Sequence, residues 1–385
     1  MIVLITDAAP SAKSSTSREV QDFVDICNLN STPISVIYPS KNNEDIYMGV
    51  EYSITCQPIF YKSNNLIFRL ISEVLMALML SIKILVKGTF RTNISKIIYI
   101  SPSIFNIVPA LLLKKITRVD IYLILRDMFP FWLVDIGKLN SKSITFKLLK
   151  MIADLQMSAS NYIGVESKSS LNVFLKKYPM YESKTEILWN WITTKKVKDI
   201  VVKESMPIRV VYAGSLGEAQ GIDHFIALIQ YWKNRADIEI HILGRGVGIK
   251  KLINYAVAHN IKNFYINDQV ELNEFDDFLS NFNIGLLFLN YDLKSSNIPG
   301  KFMSYVMNGL PVLGAVNPGN DLISFVRLNE LGYLDSSGSE NNFLDSADNM
   351  IREYKANKFS RKNIQNSSVE YFSTQKAYEK IICKK

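Results

Sequence analysis

A chain of 385 residues, 48% hydrophobic and 21% charged, has enough apolar material for two folded domains and excludes a disordered or low-complexity protein. Three dispersed cysteines, Cys27, Cys56 and Cys383, exclude a disulfide framework and a zinc site and fit a reducing cytoplasm. The net charge of +8 comes wholly from residues 1–200, with 24 Lys and Arg against 16 Asp and Glu; residues 201–385 hold 20 of each.

The chain opens with an apolar run, Ile2–Thr6, that reads as a first strand, since no basic leader precedes Asp7. Further strands are expected at Ile34–Tyr38, Lys96–Ile100, Asp120–Leu125 and Tyr162–Val165. Helices are expected at Ser17–Cys27, Leu66–Lys87, Ile104–Lys115, Ser143–Met157 and Ser167–Lys177. The most apolar segment, Leu66–Val86, carries Arg69, Glu73 and Lys83 and reads as a buried or surface-docked helix, because those charges argue against a membrane span. Short strands alternating with longer helices imply βαβ units and a parallel sheet.

A polar connection, Thr193–Met206, holds six charged residues, and the pattern then restarts. Strands are expected at Arg209–Ala213, Ile238–Leu243, Phe264–Ile266, Ile284–Phe288 and Pro311–Leu313. Helices are expected at Ile222–Trp232, Ile249–His259, Phe275–Ser280 and Lys301–Asn308, with two or three more from Asn341 to Lys385. The expectation is an α/β protein of two doubly wound Rossmann-like domains, residues 1–195 and 196–385, the second including the C-terminal helices. Such sheets bind ligands at the carboxyl ends of their strands, which places the site in a central cleft.

Three segments have the chemistry of phosphate binding. Gly214, Ser215, Gly217, Gln220 and Gly221 form a glycine-rich turn between a strand and a helix, where backbone N–H groups can approach an anion; packing alone also places glycines there. A second such turn, Gly244-Arg245-Gly246, adds a permanent positive charge or a plain surface arginine. In the third, Asn297-Ile298-Pro299-Gly300-Lys301, a helix starts with a lysine in its first turn. That lysine opposes the helix dipole, which favours a bound anion nearby. Ser304 and Tyr305, one turn on, are candidates to face a nucleotide ribose or base.

In the first half, Asp127 follows a strand and precedes Pro130, so it sits at a strand's carboxyl end. It is the candidate to orient or deprotonate an acceptor hydroxyl, with Arg126 beside it; the alternative is a turn residue capping its own backbone. Asp7 and Arg18 flank the first loop as candidate acceptor contacts. His224, His241 and His259 read as structural. The basic first half fits an anionic membrane surface or a solvated face; no nucleic-acid-binding pattern occurs.

The Gly214–Gly221 turn, the Gly244–Gly246 turn, the run from Pro299-Gly300-Lys301 to Gly309-Leu310-Pro311-Val312, and Asn317 to Leu322 resemble the C-terminal domain of family 4 glycosyltransferases of GT-B fold. Leu125 to Pro130, Ile163 to Ser167 and Leu188 to Trp191 are similar to the branch holding L-fucosamine transferases of O-antigen and capsule assembly. The resemblance spans residues 1 to about 335. It implies a UDP-sugar donor in the second domain and a lipid-diphosphate-linked glycan acceptor in the first. It also implies transfer with retention, no metal or other cofactor, and a location on the cytoplasmic face of the membrane. By position, Gly217 and its neighbours would contact the diphosphate, Arg245 and Lys301 would supply charge, and Ser304 and Tyr305 would lie near the ribose.

Three features depart from the family. Ser296 and Ser304 stand where its paired glutamates fall, Gln220 replaces a frequent lysine, and Ala8-Ala9-Pro10-Ser11-Ala12 replaces an early glycine-rich loop. The missing glutamates leave a nucleotide-sugar 2-epimerase, or a binding subunit without catalysis, as alternatives.

Overall fold

The computed structural model describes residues 1–12, 14–40, 46–57, 66–87, 93–101, 103–135, 137–198, 206–217, 220–268, 270–271, 274–292 and 298–383. It divides into two compact units, residues 1–190 with 374–385, and residues 191–373. The sequence boundary at 195/196 is close to this division, but the last helix groups with the first unit instead of the second.

The first unit runs β1 (Ile2–Ile5), α1 (Ser15–Leu29), β2 (Ile34–Pro39), β3 (Ser53–Cys56), α2 (Leu66–Lys87), β4 (Lys96–Ile100), α3 (Ile107–Thr117), β5 (Ile121–Leu125), α4 (Phe131–Asp135), α5 (Ile144–Ala159), β6 (Tyr162–Val165), α6 (Lys168–Lys177) and β7 (Thr185–Ile187). Its seven strands are parallel, in the order β3-β2-β1-β4-β5-β6-β7. β1, β2, β4 and β5 are buried along their whole length, as expected for a sheet covered on both faces. Serine caps set the helix starts: Ser14, Ser143 and Ser167 each accept a backbone N–H three residues on.

The second unit runs β8 (Ile208–Ala213), α7 (Ile222–Trp232), β9 (Ile238–Leu243), α8 (Val247–Ala258), β10 (Phe264–Asn267), α9 (Phe275–Leu279), β11 (Ile284–Phe288), α10 (Gly300–Met307), β12 (Val312–Ala315), α11 (Asp321–Leu328), β13 (Gly332–Asp335), α12 (Glu340–Lys355) and α13 (Arg361–Phe372). Its six parallel strands lie in the order β10-β9-β8-β11-β12-β13. The order reverses beside β8, the point at which such sheets take their ligands. Tyr212, Phe225, Trp232 and Phe288 fill the core between this sheet and its helices.

The final helix, α14 (Thr374–Ile382), belongs to the first unit. The Lys96 ammonium donates to the Ile381 carbonyl at 2.7 Å and so caps its C-terminal end. Ile381 is fully buried, and the Tyr378 hydroxyl meets the Thr32 hydroxyl at 2.6 Å.

Candidate active site

Each unit carries a cluster at the carboxyl ends of its strands. In the second unit, β8 ends at Ala213 and Gly214 follows with φ of +140°, a conformation that needs glycine. A Cβ built on Gly214 would lie 3.4 Å from Cε of Lys301, so the end of this side chain reaches from the first turn of α10 over the glycine. Pro299 precedes α10 without a side-chain hydrogen bond to cap it.

Lys301 is half-buried, and no carboxylate pairs with it among the described residues. Its Nζ donates to the Tyr212 hydroxyl at 2.6 Å, which in turn donates to the Ser215 carbonyl at 2.8 Å. Burial pushes the Tyr212 phenol far above its ordinary range, so this partner is neutral. Burial likewise pushes the Lys301 ammonium down to about 8. A cation held this way, at the positive end of a helix and without a counter-charge, is poised to receive an anion.

The glycine turns do different jobs. The Gly214 N–H donates to the Leu243 carbonyl, the Leu216 N–H to the Arg245 carbonyl and the Gly248 N–H to the Leu216 carbonyl. These bonds carry the β8–β9 pairing on into both loops. A Cβ on Gly244 would collide with the Gly214 carbonyl, and one on Gly246 with the Leu216 carbonyl. Those two glycines are therefore explained by loop-to-loop packing, and Gly221 by the nearby Leu289 carbonyl. Gly217 faces open space apart from Gln220, whose side-chain oxygen accepts the Gly217 N–H at 2.7 Å. Ser215 and Arg245 are exposed at the loop tips. Gly217, Gln220 and Gly221 line a depression of about 250 Å³ with His224, Lys251 and Tyr291.

Two expected ribose contacts are displaced. Tyr305 is fully buried, its hydroxyl accepts the Ala213 N–H at 2.7 Å, and its ring fills the space that the absent side chain of Gly285 leaves. It shapes the end of β8 and offers no surface to a ligand. Ser304 is buried on the same helix, its carbonyl bonded to the Asn308 side chain. Asn297 and Ser296 lie outside the described residues.

In the first unit, Arg126 and Asp127 follow β5. The Ser101 hydroxyl accepts the Arg126 backbone N–H at 2.9 Å, and the Arg126 guanidinium pairs with Glu19 of α1 at 3.1 Å. Burial raises the Asp127 carboxyl, against the pull of Arg126. Asp7 and Arg18 are half-buried, Asp7 just after β1 and Arg18 in the first turn of α1, adjoining Glu19 in sequence.

The sequence reading missed Glu166, the residue that follows β6. It is 5% exposed. One of its oxygens accepts a long 3.4 Å bond from the Asn190 side chain, and the other, like the Asn190 side-chain oxygen, is buried with no hydrogen-bond partner. Burial pushes Glu166 up to about 7, Asp127 and Glu19 push the same way, and Arg126 opposes them. The ends of β5 and β6 and the start of α1 thus bring three carboxyl groups together, and Glu166 changes charge near neutrality, the property required of a general base. The signal available in the sequence was position alone: an acidic residue between a strand and the helix cap Ser167. Among the described residues no group of three His, Cys, Asp or Glu could hold a metal ion.

No protein-family model matches the sequence. A probable glycosyltransferase, WbjE of Pseudomonas aeruginosa, is 20% identical over 220 residues, covering 55% of this chain and 54% of that protein. The chain thus spans about half the length of the curated relative it matches. Among solved structures, sucrose-phosphate synthase of Thermosynechococcus elongatus aligns with a TM-score of 0.70 at 10% identity, over 99% of this chain and 97% of that one. HepE of Anabaena, solved in complex with UDP, aligns with a TM-score of 0.66 at 14% identity, over 99% and 98%. The lipopolysaccharide outer core galactosyltransferase WaaB aligns with a TM-score of 0.64 at 12% identity, over 99% of each chain.

The fold is GT-B. In this GT-B chain the Lys301 cluster lies in the second Rossmann-like unit and the Asp127–Glu166 cluster in the first.

Proposed function

We propose that this protein is a glycosyltransferase that takes a UDP-sugar as donor, the second unit binding the diphosphate. The observation that carries this reading is Lys301, a half-buried ammonium without a carboxylate partner among the described residues, over Gly214 and at the uncapped start of α10. The departing UDP would supply the missing counter-charge, which is how such a site lowers the barrier to bond cleavage. Arg245, Ser215, Gly217, Gln220, Gly221 and Pro299 surround that position or border its loops, and Gly244 holds the loops together. The name of the WbjE relative and the UDP bound in HepE support the reading.

On the acceptor side, Asp127 orients or deprotonates the attacking hydroxyl, with Arg126, Asp7 and Arg18 around it. The acceptor is a lipid-diphosphate-linked glycan of O-antigen or capsule type, met by a protein peripheral to the cytoplasmic face of the membrane. The sugar is N-acetyl-fucosamine, another N-acetylhexosamine or a hexose, and no metal takes part. The absence of acid at Ser304 keeps a second reading open, a UDP-sugar 2-epimerase or a binding subunit.

Calorimetry with UDP tests the donor site. Lys301→Ala should weaken binding about 10- to 100-fold, the value of a hydrogen bond to a charged group, and Arg245→Ala less. Unchanged affinity in both variants refutes the assignment. Incubation with UDP-sugars and a lipid-linked acceptor separates the readings: glycosylated lipid supports transfer, a free epimer supports the epimerase, and no product supports the binding subunit.

A further inference from the structure

α2 is apolar on two sides, and only one is covered. Met76, Ala77, Leu80 and Ile84 are buried against the first unit. Ile71, Leu75, Leu78, Ile82 and Leu85 recur every three or four residues on the opposite side and are 36–59% exposed. A helix apolar all round is ordinarily buried. α5 repeats the pattern: Ile144, Leu148, Met151 and Leu155 form a single exposed stripe of helical spacing while Leu149 and Ala153 point inward. The two helices pack on the same segment, since Ala77 of α2 and Leu149 and Ala153 of α5 share one core cluster with Ile104 and Phe105.

The charges on these helices have one sign left over. The sole acidic residue of α2, Glu73, pairs with Arg69 at 3.1 Å, and the sole acidic residue of α5, Asp154, pairs with Lys150 at 2.6 Å. Lys83, Lys87 and Lys147 are exposed and have no carboxylate among the described ion pairs, although the Lys83 ammonium donates to the Thr55 carbonyl at 2.6 Å. Among the described residues no helix is long and apolar enough to cross a membrane. Exposed apolar stripes on two helices of net positive charge, with Lys147 flanking the stripe on α5, have the physical profile of helices lying in the headgroup region of an anionic bilayer.

We propose that the exposed faces of α2 and α5 together form the surface by which this protein docks on an anionic lipid bilayer. This deepens the reading of a peripheral membrane enzyme and rests on it only for its biological purpose, because lipid binding needs no sugar donor. The uncompensated lysines favour lipid over a second copy of the chain, whose lysines would repel.

The test uses the full chain and vesicles of phosphatidylglycerol and phosphatidylcholine that hold no glycan. The protein should sediment with anionic vesicles, less so with pure phosphatidylcholine and at high salt. A variant with Leu78→Ser, Ile82→Ser, Leu148→Ser and Met151→Ser should partition at least tenfold less while its UDP affinity stays the same. Separately, the Ile82→Trp variant should move its fluorescence to shorter wavelength on anionic vesicles. The proposal falls if the wild-type protein stays in the supernatant, if the serine variant sediments equally, if the emission of the Ile82→Trp variant does not move, or if light scattering shows a dimer that the serine variant makes monomeric. Loss of UDP binding in the Lys301 variant has no bearing on these outcomes, so the two readings fail separately.

Discussion

Lys301 and Glu166 are two side chains whose surroundings disfavour their charged forms, and each gives a pH-dependent expectation. Lys301 titrates at about 8 in the free protein because burial disfavours its ammonium. A bound diphosphate restores the preference for the charged form, so binding should take up a proton once the pH exceeds 8. UDP affinity is then flat below pH 8 and falls by up to about tenfold per unit above it. Calorimetry at pH 9 in buffers of different ionisation enthalpy reads that proton directly; constant affinity from pH 7 to pH 9.5 contradicts the assignment. Glu166 is the opposite case, raised from 4.5 to about 7. The folded state binds more protons than the unfolded state between these values, so the stability this residue contributes is greatest below pH 4.5 and is lost as the pH rises through 7. The shift corresponds to about 3 kcal/mol. Glu166→Gln removes the cost of an ionised buried carboxyl, so it should raise the melting temperature at pH 8 well above that of the wild type and change it little near pH 5. An equal effect at both pH values would mean that the charge of Glu166 does not change between them.

At the scale of elements, the two glycine turns illustrate what a sequence pattern can and cannot specify. Both read as phosphate cradles, since a strand, a glycine-rich turn and a helix follow one another in each. Only spatial neighbours distinguish them. Gly244→Ala would drive a methyl group into the Gly214 carbonyl and should destabilise the protein by about 1–3 kcal/mol. Gly217→Ala meets only the end of the Gln220 side chain, at 3.5 Å, and should leave the melting temperature nearly unchanged while weakening UDP binding. Similar losses of stability in both would place Gly217 in the same packing role. The alternation of apolar runs made most strands and helices legible, β4, β6, β9 and β11 to the residue. β3, β7 and β13 escaped because they are three or four residues long and only partly buried, so they carry no sustained apolar signal. The position of Asp127 after β5 was legible because its strand was; the setting of Glu166 was not, because it comes from Asn190, Asp127 and Glu19, which are remote in sequence or on other elements. The burial of Tyr305 was not legible for a related reason: helical spacing from Lys301 says nothing about which face the sheet covers.

At the scale of the whole chain, the last helix shows that contact, not chain order, decides where a segment belongs. Residues 191–373 form one unit, yet α14 completes the other. Its docking uses three independent links to the first unit: the buried Ile381, the Tyr378–Thr32 hydroxyl pair and the Lys96 cap. The cap is directional, since a lysine at a helix C-terminus meets unsatisfied carbonyls and the negative end of the dipole together. Ile381→Ala empties a fully buried site and should cost the first unit about 2–5 kcal/mol. The proposed donor residues all belong to the other unit, so UDP affinity of the same variant should equal that of the wild type at temperatures where both are folded. The measurement is a paired one, thermal unfolding and UDP calorimetry on a single full-length variant. A large fall in UDP affinity without a fall in melting temperature would mean that α14 serves the donor site instead of the fold of the first unit.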